Sequence, residues 1–270
     1  MSIRSPPRNQ LLASLSPHDG EMLRPHLRLV ELTDRAVLIE AGKSVQRLYF
    51  PHSGIISLVV GFANGQSVDM AMIGRDSVCG VSATLRGRNS WASAIVRLPG
   101  TASVLDADRL RFAANESPQF RDTLLLHDEA LLVQVEQSAA CNAVHGLGAR
   151  LARCLLRMRD LSGDDTLYAT QELLAEMLGV QRNSVSIVDK AFQQAKLIRY
   201  HRGTIKIVNL EGLKASACEC YRAVETHYQR LSQGDPRISA RFGLRTYAPD
   251  EPPESDVAAT PLIWRREGQS

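Results

Sequence analysis

The sequence predicts an α+β chain in three parts: a small antiparallel β domain of the jelly-roll (double-stranded β-helix) type, a long helix, and a C-terminal winged helix-turn-helix. Three observations carry this expectation. Between Arg28 and Arg109, short β-type runs alternate with glycines. From Leu124 through Leu147 a helical pattern runs on without proline. From Thr170 to Phe192 two short helical patterns meet at Gly179, and a β-branched hairpin follows between Leu197 and Val208.

In chain order, Asn9 to Leu29 reads as helical, with Leu11, Leu12, Leu15, Met22, Leu23 and Leu27 as its apolar set and a break near Ser16-Pro17. The expected strands are Val37 to Ile39, Leu48 to Phe50, Ile55 to Val60, Val68 to Ile73, Ala94 to Val96 and Ala102 to Leu105. Leu124, Leu125, Leu131, Leu132, Val135, Ala139, Ala143 and Leu147 then mark the long helix. A helix of that length serves as a seam between two subunits. The alternative is a long buried helix, and Ser138, Asn142 and His145 interrupt a strict heptad. Ser162 to Asp165 breaks the pattern, and Leu210 to Leu231 reads as one more helix. Past Ser232 the proline- and acid-rich run Pro249 to Asp256 predicts a disordered tail, in which Trp264-Arg265-Arg266 is a short motif. The expected divisions are 1–121 for the β domain, 122–161 for the dimerisation helix and hinge, 162–231 for the winged helix, and 232–270 for the tail.

Chemistry concentrates in the third part. Leu173, Leu174, Met177 and Leu178 give the first short helix an apolar face, and Ala175 is small where the second must approach. Val185, Val188 and Phe192 bury one face of the second helix. Its other face offers Gln181, Arg182, Asn183, Ser184, Ser186 and Lys190 to base edges and phosphates. Thr170 and Gln171, at the start of the first helix, are placed for backbone contacts. Arg199, Arg202 and Lys206 line the hairpin, which turns at Arg202-Gly203. From Gln181 to Lys206 there are six basic residues, counting Lys196, against the single acid Asp189. Such a face favours counterion release from double-stranded DNA. An ordinary αα-hairpin has similar apolar spacing, so a protein-docking module is the alternative.

Charge and composition exclude other classes. The net charge of +3 is uneven: residues 1–144 hold 14 basic and 14 acidic groups, whereas 145–230 hold 13 and 9. No apolar run reaches the ~20 residues of a membrane span, and Met1 to Arg8 lacks the apolar region of a secretory signal, so a cytoplasmic protein with no membrane partner is expected. Five scattered cysteines fit reduced, buried thiols. There is no phosphate-cradling glycine loop, no H-E-x-x-H and no G-x-S-x-G. His127 and Asp128 are adjacent and so diverge on a helix. The best enzymatic case is thiol chemistry at an exposed Cys79; an enzyme is not expected.

The order of β domain, long helix and winged helix resembles the Crp/Fnr family of bacterial transcription regulators over about residues 10 to 228. Gln171-Glu172, Ala175, Gly179, Arg182, Val185, Leu197-Ile198 and Gly203 carry the resemblance, with Gly42, Gly54, Gly74-Arg75-Asp76 and Gly80 in the β region. It implies a homodimer along the long helix, a sensory roll, a two-fold symmetric operator with half-sites about 34 Å apart, and RNA polymerase as a partner. Two departures stand out. Cyclic-nucleotide receptors of the family hold the cyclic phosphate with a glutamate after a turn glycine and an arginine-serine pair. Here those positions read Gly80-Val81 and Ala92-Ser93, so cyclic AMP does not carry over; the effector is unknown, and the roll binds another ligand or none. The recognition helix keeps Arg182 but has Asn183 and Ile187 where the best-known member has glutamate and a second arginine, which implies a different operator.

Cys141 and His145, four residues apart on a helix, share a face and could ligate a transition metal; a buried thiol and a satisfied histidine is the alternative. Cys218-Glu219-Cys220 reads as a C-x-C on a helix, where the two thiols diverge by about 200° and chelate poorly.

Overall fold

In a computed structural model the described residues are 9–232; the expectations for Met1 to Arg8 and for the tail with Trp264-Arg265-Arg266 lie outside them. Helices α1 (Gln10–Ser14) and α2 (Pro17–Leu23) part where the sequence predicts. The Ser16 hydroxyl accepts from the Asp19 amide and Pro17 takes the first helical position.

Strands β1 (Arg28–Leu32), β2 (Val37–Ile39), β3 (Arg47–Pro51), β4 (Ile55–Gly61), β5 (Ser67–Ile73), β6 (Ser93–Leu98) and β7 (Gly100–Asp106) form two antiparallel sheets, ordered β1-β7-β3 and β2-β6-β4-β5. Leu32, Ile39, Ile56, Ile73, Ala94, Val96 and Ala102 pack together as one buried cluster. Burying each large aliphatic side chain contributes roughly 1.5–3 kcal/mol. Leu11, Leu12, Leu23, Leu48, Phe50 and Leu105 form a second cluster with residues of the helices that follow. Gly100 lets chain segments touch: a Cβ there would lie 2.3 Å from the Ser53 carbonyl oxygen.

Two elements of the roll are not expected from the sequence. Strand β1 has only Leu32 fully buried and shows no clean alternation. Helix α3 (Val81–Arg86) is a six-residue helix entered through Gly80 at φ +103. Cys79, read as an exposed thiol, is fully buried, and burial pushes that thiol up to about 12.

Helix α4 (Ala107–Glu116) leads into α5 (Pro118–Val144), 27 residues long. Phe120, Leu124, His127, Ala130, Gln134, Ser138 and Cys141, spaced three or four apart, are its buried face. On another face Leu125 and Leu132 remain 46% and 55% exposed. The stretch 122–161, expected to hold a long helix and a hinge, carries two helices. His145 leaves helical geometry at φ −101, ψ 140, and α6 (Leu147–Ser162) starts afresh. Leu151, Leu155, Leu156 and Met158 of α6 pack with Leu174, Leu178, Val185, Ile198 and Ile205. Helix α6 thus packs into the C-terminal core.

That core continues through β8 (Thr166–Tyr168), α7 (Gln171–Leu178), α8 (Arg182–Gln194), β9 (Ile198–His201) and β10 (Thr204–Ile207), with sheet order β8-β10-β9. Strand β8, only three residues long, is likewise absent from the sequence expectation. The single helix expected from Leu210 to Leu231 is α9 (Leu210–Ser216) and α10 (Cys220–Ser232), separated where Ala217 turns extended at ψ 152. Among the described residues no helix is long and apolar enough to cross a membrane.

Candidate nucleic-acid interface

Thr170 caps α7, its hydroxyl accepting from the Leu173 amide at 3.1 Å. At the other end Gly179 adopts φ +62, the left-handed turn that redirects the chain into α8. Val185 and Phe192 are buried and anchor α8. Arg182, Asn183 and Lys190 are exposed, as is Ile187, while Ser184 and Ser186 are half-buried. Gln181, the exposed N-cap, makes no side-chain capping bond, and the first turn holds no acid. The α8 N-terminus thus presents amides free of a carboxylate.

Asp189, the lone acid of this stretch, is fully buried, and burial raises its carboxyl above the usual range. Gln171 Nε2 donates to its Oδ2 at 2.9 Å. The Gln171 amide, read as a DNA contact, is therefore engaged inside the motif, where it ties α7 to α8. On α8 the one carboxylate faces inward and the cations face out.

The wing repeats the pattern. Arg202 and Gly203 both take positive φ, 46° and 80°, which makes a two-residue hairpin turn of the primed type. Arg199 and Lys206 are exposed and directly opposite in the β9–β10 register. Like charges across a ladder destabilise it unless an anion joins them. None of Arg182, Lys190, Lys196, Arg199, Arg202 and Lys206 forms an ion pair among the described residues.

Residues 149–216 match the family model of the Crp-like helix-turn-helix domain, and residues 29–117 that of the cyclic nucleotide-binding domain. Together they span more than half of the chain. The chain belongs to the Crp/Fnr family of DNA-binding transcription regulators. It is 25% identical over 177 residues to the global nitrogen regulator of Synechococcus elongatus, covering 62% of this chain and 80% of that protein. The structure of FixK2 from Bradyrhizobium japonicum matches with a TM-score of 0.63 at 15% identity, over 71% of this chain and 98% of that one. A CRP/FNR-family regulator from Thermus thermophilus matches at 0.58 with 22% identity, over 70% and 98%. These structural likenesses show the fold.

The four residues expected at the sensor pocket fall around α3 and the start of β6. Gly80 and Val81 open α3, and Val81 is buried in the apolar cluster beneath the roll. Ala92 precedes β6, and the Ser93 hydroxyl accepts from the Ala41 amide at 3.1 Å.

The structure adds residues that sequence reasoning passed over. Arg97, on β6, forks onto Asp69 of β5 and reaches Glu176 of α7 at 3.0 Å; Arg35 approaches the same carboxylate at 3.4 Å. Arg157 of α6 pairs with Asp76 at 2.7 Å and lies 4.3 Å from the centroid of the Tyr228 ring. These contacts fasten the roll to the helix-turn-helix. An isolated charge in an amphipathic strand announces no partner. Cys141 and His145 are brought together, and Cys218 and Cys220 join them.

Proposed function

We propose that the protein acts as a homodimer that reads a two-fold symmetric operator, with α8 in the major groove and the wing on the phosphates. The cationic surface of α8 and the wing, which forms no ion pair among the described residues while Asp189 is turned inward, carries this reading. Arg182 reaches guanine through two parallel hydrogen bonds and Asn183 suits adenine. Ile187, 70% exposed where the best-known family member has arginine, offers an apolar contact to a thymine methyl. Lys190, Arg199, Arg202 and Lys206 hold phosphates and give no sequence preference of their own. Thr170 and the backbone at the start of α7 add a further contact to the strand.

The exposed Leu125 and Leu132, seven residues apart on α5, supply the apolar stripe on which two copies pair. The protein works in the cytoplasm with RNA polymerase as its partner, and its roll takes an effector other than cyclic AMP. Selection of bound sites from a random duplex library tests this reading. An enriched palindrome and binding that weakens steeply with salt are expected. Binding without sequence enrichment and without salt dependence marks a protein-docking module instead.

A further inference from the structure

Four side chains converge where α5 ends and α10 begins. Cys141 lies in the last turn of α5 and His145 caps it; Cys218 sits in the link after α9, and Cys220 opens α10. One donor atom from each, three sulfurs and an imidazole nitrogen, lies within 4.8 Å of all the others. Cys141 Sγ is 3.5 Å from Cys218 Sγ, and Cys220 Sγ is 3.5 Å from His145 Nδ1. All three thiols are buried and the imidazole is half-buried.

The expectation that the C-x-C thiols diverge on a helix fails for a local reason. Ala217 turns extended at φ −80, ψ 152, so Cys218 is outside any helix and only Cys220 is inside one. The two sulfurs can therefore aim at one point. All four residues fall outside the segments 29–117 and 149–216 that match the family's two domains, so neither domain fold requires them.

We propose that Cys141, His145, Cys218 and Cys220 bind one tetrahedral zinc ion. Zinc–sulfur bonds of about 2.3 Å and zinc–nitrogen bonds of about 2.0 Å put neighbouring donors roughly 3.5–3.8 Å apart. The two short edges already have that spacing, and the remaining donors close in by about an ångström or less. Three sulfurs and one imidazole select zinc over hard, oxygen-seeking cations.

The surroundings are those of a metal ligand set. His145 Nε2 faces the Glu219 carboxylate at 3.3 Å, which fixes the tautomer that leaves Nδ1 toward the sulfurs. Gln137 Nε2 donates to Cys220 Sγ at 3.0 Å. Three thiolates on a dication leave one negative charge, and the Arg153 guanidinium, bound to Ser138 Oγ at 3.2 Å one turn before Cys141, supplies a nearby positive charge. Binding sends three thiol protons to solvent and leaves no bond of the chain broken. The ion would fasten α10 to the end of α5, beside the His145-Gly146 break between the long helix and the DNA-binding core.

Untagged full-length protein, purified under reductant without chelator, is expected to carry about one zinc per chain by elemental analysis. After chelation, cobalt(II) should titrate in one-to-one with thiolate-to-cobalt charge-transfer bands and the visible bands of a tetrahedral site, and zinc should bleach them. Cys218→Ser and His145→Ala should abolish that spectrum. Glu219→Gln, which keeps all four donors, should weaken zinc about 10–100-fold. A wild-type chain without zinc and with only weak octahedral cobalt absorption overturns the proposal. So does zinc that Cys218→Ser leaves in place, or a Cys141–Cys218 disulfide in protein that takes up no metal.

Discussion

Arg97 on β6 grips Glu176 on α7 at 3.0 Å while its other edge holds Asp69 through bonds of 2.6 and 3.0 Å. Arg97 and Asp69 are 5% and 4% exposed, but Glu176 is 33% exposed. One guanidinium thus joins a deeply buried roll pair to a wetter contact with the helix-turn-helix.

That asymmetry predicts unequal mutants. Arg97→Ala leaves Asp69 charged and unpartnered in the interior, a loss of about 3–5 kcal/mol. Glu176→Gln leaves the Arg97–Asp69 fork intact and removes a half-wet contact, so it should cost about 1 kcal/mol or less. Urea unfolding of both variants measures the difference; equal losses would mean that the fork does not hold the roll.

Gly179 meets the roll as well. Its φ is +62, and a Cβ there would lie 2.9 Å from Val68 Cγ2. Gly179→Ala should lose about 1–2 kcal/mol to the left-handed backbone alone, with the Val68 contact added. Val68→Ala in the same chain should recover the contact portion only. Thermal melts of the single and double variants separate the two contributions.

The exposed stripe on α5 makes a third prediction. Leu125→Asp with Leu132→Asp places two charges on residues that are 46% and 55% exposed in the single chain. The single chain should stay folded while the dimer dissociates. Sedimentation velocity should show half the mass, with an unchanged far-ultraviolet circular dichroism spectrum.

Acid should weaken the fold through His127. Burial holds this imidazole down to about 4, while Asp76 pulls in the opposite direction. Unfolded, it titrates near 6.5. Between those values the unfolded chain takes the proton and the folded chain refuses it, so stability falls as pH drops from about 6.5 toward 4, by up to about 3 kcal/mol. Denaturant titrations at several pH values should show a shallower slope for His127→Gln in that window.

Legibility tracks how local each determinant is. The helix-turn-helix can be read because Gly179, Val185 and Phe192 act within one short stretch, and the glycine-punctuated strands are legible for the same reason. Strand β1 and the three-residue β8 escape because tertiary pairing, rather than their own pattern, makes them strands. The break at His145 is hidden because apolar residues continue on both sides of it, and only packing shows that α6 belongs to the C-terminal core. Gln171 reads as a DNA contact because its partner Asp189 is eighteen positions away. The cysteine quartet depends on α10 folding back against α5, which no local spacing announces.

The most direct test of the account compares Arg182→Ala with Lys206→Ala on the selected operator and on unrelated duplex across a salt series. Arg182→Ala should lose about 1–3 kcal/mol on the operator, relax one base position and leave non-specific binding unchanged. Lys206→Ala should weaken both duplexes alike and reduce the salt slope by about one. Equal losses on both duplexes for Arg182→Ala would contradict the assignment of α8 as the element that reads bases.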